Sequence, residues 1–258
     1  MFKYGLKLWS TNLNYLNAAV QLYARGVYDF IELFVVPGTK LEFCSAWEVL
    51  RIPYIIHAPH YDKGVNLSRH DQLVTNMDHV RETIAFADAL AADTIIFHPG
   101  IEGDICETVK QLKQIADSRI VIENKPHFGR NNEICIGSTP DEIRFIMDNT
   151  KVGFCMDIGH AICAANAKQI PPMDMLQDLL VLSPRIFHLT DGLRDSLYDR
   201  HDHFGKGDYD IPTLLGLLPA NAIITVETDK DDCTRLNDFE RDIMFLKSLN
   251  KDSNHVTV

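Results

Sequence analysis

What most constrains the fold of this chain is a repeat of short apolar, β-rich runs separated by stretches of helical periodicity. The runs are YGLKLW near residue 6, YDFIELFVV near 32, YIIH ending at 57, TIIFH ending at 98, RIVIE ending at 123, VGFCMD ending at 157, RIFH ending at 188 and AIITVE ending at 227, eight in all. Near-continuous apolar strands of this length suit a parallel sheet covered on both faces. Between them, residues 71–92 put Leu73, Met77, Val80, Ile84, Ala87 and Leu90 on one helical face. Ser138-Thr139-Pro140-Asp141 supplies a cap and an N-terminal proline for a helix from Pro140 to Asp148, and residues 173–182 (MDMLQDLLVL) read as a core-facing helix. Eight strands alternating with helices is the arithmetic of an α/β chain folded as a single (β/α)8 TIM barrel. The expected barrel covers residues 1–250, and KDSNHVTV (251–258) reads as a disordered tail. A doubly wound open sheet is the alternative, but no Gly-rich phosphate loop follows the first strand.

Composition narrows the functional classes. With 258 residues, 46% hydrophobic and 24% charged, the chain can bury a sizeable core. No window approaches 18 uncharged apolar residues, and MFKYGLKLWS lacks the pattern of a secretory signal, so the expectation is a cytoplasmic protein without a membrane partner. No protein partner is indicated. The net charge of -11 gives no global attraction to nucleic acid, so a polyanion needs a locally positive face. Six scattered cysteines without a C-x-x-C argue against a thiolate zinc cluster and a disulfide framework.

In such a barrel the active site lies at the carboxyl ends of the strands, so strand ends are the informative positions. Here the last six runs end in His57, His98, Glu123, Asp157, His188 and Glu227, all of metal-ligand type. One alone would be read as a satisfied polar residue; six converging on one rim would be costly without cations to neutralise the carboxylates. His160 follows Asp157 by three residues, and the segment YDRHDHFGKG (198–207) adds Asp199 and His201. Imidazole and carboxylate donors suit zinc, with manganese next, and nine donors exceed one four-coordinate ion, so two or three divalent metals are expected. Gly205 and Gly207 are expected to let the backbone turn tightly beside them.

The motifs H57-A-P-H, F97-H98-P-G, V121-I-E123-N124, G153-F-C-M-D157-I-G-H160, F187-H188-L-T-D191, D199-R-H201 with G205-K-G207, and V226-E227-T resemble the endonuclease IV (AP endonuclease family 2) branch of the xylose isomerase-like barrels, from about strand three to strand eight. The resemblance implies that His57, His98 and Glu123 hold one metal. Glu123 would bridge to a second held by Asp157, His188 and Glu227, while His160, Asp199 and His201 hold a third. It also implies a metal-dependent hydrolase acting on a phosphoester, abasic DNA included, with Glu123 and Glu227 as the catalytic carboxylates.

Departures from that family pattern fall on DNA-facing positions rather than on the donors. The stretch H57-A-P-H60-Y61-D62-K63-G64-V65-N66-L67 displaces the family's aromatic and inserts residues; D157-I-G-H160 lacks the usual Thr-Cys; V36-P37-G38-T39-K40 is brief and has no arginine. A sugar or sugar-phosphate isomerase or epimerase of the same superfamily is therefore the second reading. There Glu123, Asp157, His188 and Glu227 hold a single metal, and Lys125 stabilises an enediolate or binds phosphate. A barrel that binds metal or ligand without turnover is the third. His60, Lys125 and His203 are the candidate substrate contacts, and Trp9, at the end of the first run, either lines the pocket or packs in the barrel floor, with packing preferred.

Overall fold

Side chains alternate across a β-strand, so each strand of a barrel sends every second residue into the interior and the others out under the helices. Residues 1–252 are described by a computed structural model in which eight parallel strands close in chain order. They are β1 (Lys3–Trp9), β2 (Phe30–Phe34), β3 (Tyr54–His57), β4 (Ile95–Phe97), β5 (Ile120–Glu123), β6 (Gly153–Asp157), β7 (Ile186–Leu189) and β8 (Ile223–Val226). The outward set, including Leu6, Leu33, Ile56, Phe97, Ile122, Met156 and Ile224, is buried beneath the helices. The inward set begins with an apolar floor of Phe30, Ile55, Ile96, Val121, Cys155 and Ile186, with Ile223 packed against it. With both faces buried, the strands are apolar almost throughout, which made them legible as continuous runs.

One glycine is required by this floor. Gly5 is the register partner of Phe30, and a Cβ at Gly5 would lie 2.3 Å from the Phe30 ring. The ring occupies the space that a β1 side chain would take, so β1 contributes no side chain at that level.

The helices differ from the expectation in detail. Leu73–Ala89 forms as a helix that buries Val80 and Ala87 of the expected face, with Leu90 buried just beyond it and Ile84 packed on the core, and adds Asn76, Thr83 and Phe86; Leu73 and Met77 are only partly buried. The buried stripe takes in Asn76 because it donates to Asn66 O at 2.8 Å and to Gln111 Oε1 at 2.8 Å, a buried polar network that needs an inward amide. Pro140–Thr150 starts with the Thr139 and Glu142 capping box, and Pro172–Leu180 buries Met175, Leu176 and Leu179. Asn237–Asp252 continues two residues past the expected domain boundary; residues 253–258, the rest of the expected tail, lie outside the described residues. Among the described residues, no helix is long and apolar enough to cross a membrane. The six cysteines are free.

Candidate metal centre

The period of two that builds the floor also builds the rim. Ile55, Ile96, Val121, Cys155 and Ile186 of the floor are followed two residues later by His57, His98, Glu123, Asp157 and His188. Only His57, Glu123 and Asp157 are terminal strand residues; His98 and Glu227 lie one residue beyond β4 and β8, and His188 is next to last in β7. All the same, the six side chains converge. Glu123 Oε2 lies 3.1 Å from both His57 Nε2 and His98 Nε2, and Glu123 Oε1 lies 3.1 Å from His160 Nδ1. His188 Nδ1 faces Glu227 at 3.2 Å, Glu123 at 3.5 Å and Asp157 at 3.8 Å.

Local structure aims these groups. Asn124 clamps β6 by accepting from Asp157 N (2.8 Å) and donating to Asp157 O (2.9 Å). The Asp157 carboxylate caps the helix Ile158–Lys168 by accepting from His160 N at 2.7 Å, which brings His160 over the centre. Three histidines place Nδ1 against a backbone carbonyl, where only an N–H can bond: His57 on Ala58 O (2.7 Å), His160 on Asn124 O (2.9 Å) and His201 on Glu227 O (2.7 Å). Each leaves the Nε2 lone pair for the centre.

The third group of donors arrives on a loop. Asp199 Oδ2 is 2.6 Å from His201 Nε2 and 3.6 Å from His160 Nε2, joining the loop pair to the rim. His201 sits at φ +54°, a left-handed backbone that costs a non-glycine residue on the order of 1 kcal/mol or more. Gly205 makes the expected tight turn, at φ +78°, and both Gly205 and Gly207 serve a partner that the sequence did not suggest. Their N–H groups, with those of Gly192 and Tyr209, donate to the buried Asp191 carboxylate at 2.8 to 3.2 Å. A Cβ at Gly207 would meet Gly192 O at 2.2 Å, so this knot admits only glycine there. Asp191 was missed as an organiser because its role depends on residues up to 18 positions away.

Two further missed residues share the level of the rim. Lys7 on β1 and Glu32 on β2 are register partners, each two residues past a floor position, at Gly5 and Phe30. Lys7 Nζ donates to Glu32 Oε1 (2.5 Å) and Glu227 Oε1 (2.6 Å), while Glu32 Oε2 accepts from His188 Nε2 (2.9 Å) and Thr225 Oγ1 (2.5 Å). A lone charged residue inside an otherwise apolar strand was the available signal.

Five carboxylates, Glu32, Glu123, Asp157, Asp199 and Glu227, thus face two lysines, Lys7 and Lys125. From the side chains alone, charge is balanced in two ways. Burial, with Asp199 and Glu123 nearby, pushes the Asp157 carboxyl up to about 6. Burial opposes protonation of His201 and His188, yet the neighbouring carboxylates outweigh it, lifting His201 to about 10 and His188 well above its ordinary range. Burial instead pushes His57 and His98 down, leaving neutral imidazoles. His188 Nδ1 is buried among three carboxylates and, among the described residues, makes no hydrogen bond. Clustered anions, neutral imidazoles and a buried orphan nitrogen fit divalent cations.

A cavity of about 510 Å³ opens above these donors, lined by Trp9, Phe34, Tyr61, Phe128 and Tyr198, with the Lys63 ammonium over the Trp9 ring at its rim. Trp9 therefore lies at the mouth, 42% exposed, and not in the floor. Of the three candidate contacts, Lys125 lines the cavity with Nζ 3.4 Å from His98 Nε2, and His60 lines it with its ring stacked on His98. His203 does not: its ring is held by Asp242 (2.7 Å) and Asp231 (3.2 Å), because the loop reverses between His201 and Gly205.

Residues 21–249 match the model of the family described as xylose isomerase-like TIM barrel. A protein of Thermoplasma volcanium named "Probable endonuclease 4" is 33% identical over 141 residues, 49% of this chain and 49% of its own length. A second of that name, from Geobacillus kaustophilus, is 24% identical over 173 residues, 59% of this chain and 56% of its own. The chain thus spans about half the length of the curated relatives it matches. Among solved structures, a D-tagatose 3-epimerase-like protein superposes with TM-score 0.73 at 21% identity, covering 98% of both chains. Endonuclease IV from Thermus thermophilus superposes with TM-score 0.72 at 16% identity, covering 97% of this chain and 99% of its own. At those identities the superpositions speak for the fold.

Proposed function

The chain belongs to the xylose isomerase-like TIM barrel family, and on that premise we propose that it is a metal-dependent hydrolase of phosphoesters. One observation carries the reading: His57, His98, Glu123, Asp157, His160, His188, Asp199, His201 and Glu227 form one unbroken chain of contacts around the barrel mouth. Such a set suits three neighbouring zinc ions, with manganese as the alternative. His57, His98 and Glu123 would hold one; Glu123, Asp157, His188 and Glu227 a second; and His160, Asp199 and His201 the third. Bound divalent metals supply activation of a water and neutralisation of charge on phosphorus-bound oxygens.

The chain's own groups do the rest. Glu123 reaches both the His57–His98 side and the His160 side, so it couples the positions of neighbouring donors. Glu227 is oriented by Lys7, and its backbone carbonyl fixes the His201 ring. Lys125 presents Nζ to the cavity beside His98 and His160, where it meets the developing negative charge of a phosphoryl group. The aromatic wall excludes water and offers faces on which a base or a sugar ring packs. Lys63 and Arg130 flank the opening and draw an anionic substrate despite the acidic total. Abasic-site DNA and a small sugar phosphate are the two substrates of this chemistry.

A second reading, isomerisation or epimerisation of a small sugar or sugar phosphate, is favoured by Glu123 and Glu227 both facing His188 Nδ1, at 3.5 and 3.2 Å. Two neighbouring carboxylates can move a proton alpha to a carbonyl. Elemental analysis of untagged protein reconstituted with zinc tests the choice. Close to three ions per chain, with turnover of a simple phosphodiester, supports the hydrolase; one ion per chain overturns it in favour of the isomerase.

A further inference from the structure

His188 breaks the rule that three other rim histidines follow. His57, His160 and His201 each turn Nδ1 to a backbone carbonyl and leave Nε2 for the centre. His188 is inverted: Nε2 faces Glu32 Oε2 at 2.9 Å, with Cys155 Sγ at 3.5 Å, and Nδ1 points among Glu123, Asp157 and Glu227. The group that fixes this ring is therefore not a backbone carbonyl but a side chain from another wall of the barrel, 156 residues away.

Glu32 is built for that task. It is fully buried, and both of its oxygens are engaged: Oε1 by Lys7 Nζ, Oε2 by His188 and by the Thr225 hydroxyl. Thr225 is the register partner of His188, so the hydroxyl and the ring approach the same carboxylate from adjacent strands. A carboxylate so occupied has little left to offer an ion, but it is an acceptor that cannot donate. An acceptor at Nε2 keeps the proton there and the lone pair on Nδ1.

We propose that Glu32, held by Lys7 and Thr225, is a positioning residue that keeps the His188 proton on Nε2 and so presents Nδ1 as the metal-binding nitrogen. The inference rests on the metal-centre reading above and assigns a role to two strands, β1 and β2, that contribute no ligand to it. Glu32→Gln is the informative change, because a side-chain amide of the same shape can donate to Nε2 and shift the proton to Nδ1. Lys7→Met leaves the Glu32 carboxylate in place.

The test uses zinc-loaded protein with 15N-labelled histidine. Long-range proton–nitrogen correlation spectra of the wild type should show His188 protonated at Nε2 and zinc-bound through Nδ1, the inverse of His57 and His201. In Glu32→Gln the Nε2 proton should disappear and one zinc should weaken by about 10- to 100-fold in chelator competition, the usual effect of removing such a partner. Lys7→Met, which also frees Glu227, should keep the Nε2 proton whatever zinc affinity it loses. Zinc on His188 Nε2 in the wild type, an unchanged Nε2 proton in Glu32→Gln, or loss of that proton in Lys7→Met would each overturn the proposal. The wild-type spectrum decides by itself if Glu32→Gln does not fold. A wild-type chain that takes up no zinc fails differently, since it removes the metal-centre reading and this inference with it.

Discussion

Two residues separate the floor of the barrel from its mouth on six strands, β2 to β7, and the two layers obey opposite rules. The floor, from Phe30 to Ile186, holds apolar side chains whose full burial contributes about 1.5–3 kcal/mol each for the larger ones. The mouth holds carboxylates, imidazoles and two lysines, where burial is unfavourable unless every charge is answered. Stability belongs to one layer and chemistry to the other, and a single strand supplies both by alternation.

The comparison can be broken most sharply at the mouth. Asp199→Ala with His201→Ala removes the loop donors and leaves the floor untouched, so phosphodiester turnover should fall by about 10³-fold, the equivalent of several kcal/mol of lost charge stabilisation. Thermal unfolding of the metal-free double variant should remain close to wild type, because no floor contact is lost with the loop pair. Retained turnover would show that the loop pair serves no hydrolytic step.

Ile96→Ala makes the converse cut. It opens a cavity in the floor and should cost about 2–5 kcal/mol in urea unfolding, with zinc per chain unchanged. A loss of zinc equal to that of a donor variant would mean that the two layers are not separable.

Zinc affinity should also depend on pH in a way the floor cannot share. Asp157, held up to about 6, gains a proton as pH falls through that value and stops being a ligand; His201, lifted to about 10, must release its proton when an ion binds below that value. Affinity should therefore rise with pH between about 6 and 10 and fall more steeply below 6, by about tenfold per unit for each proton involved. Calorimetry in buffers of different ionisation enthalpy reads those protons directly, and binding without proton release contradicts the assignment.

The smallest effect is expected where the mouth is tied down rather than where it acts. Gly205→Ala meets no atom closer than 3.8 Å but keeps φ near +78°, so it should cost about 1 kcal/mol of stability and little turnover. A large loss of zinc would show that the knot, and not the donors, governs the loop.

Much of this was readable in the chain, for reasons that also explain the rest. Strands buried on both faces leave continuous apolar runs, so the barrel and its strand-end donors were visible. Lys7 and Glu32 escaped because attention to strand ends overlooks charged residues within a run, although counting two on from the floor reaches both. On the helix Leu73–Ala89 the polar part of the buried stripe was not legible, because hydrophobicity gives no account of Asn76, whose partners lie on other segments. His203 stands two residues from a donor in the chain but points elsewhere, since proximity in sequence fails wherever the backbone reverses.

The Asp191 knot bears on how such a protein could change its substrate. Four backbone N–H groups on one carboxylate, together with the Asp191–Asp202 bridge, pin both ends of the segment that carries Asp199 and His201. Residues 193–198 lie between the pinned points and include Tyr198 of the cavity wall. Asn166 holds the Arg194 and Ser196 carbonyls, so a change to Tyr198 that keeps this backbone alters which molecule fits while Asp199 and His201 keep their places.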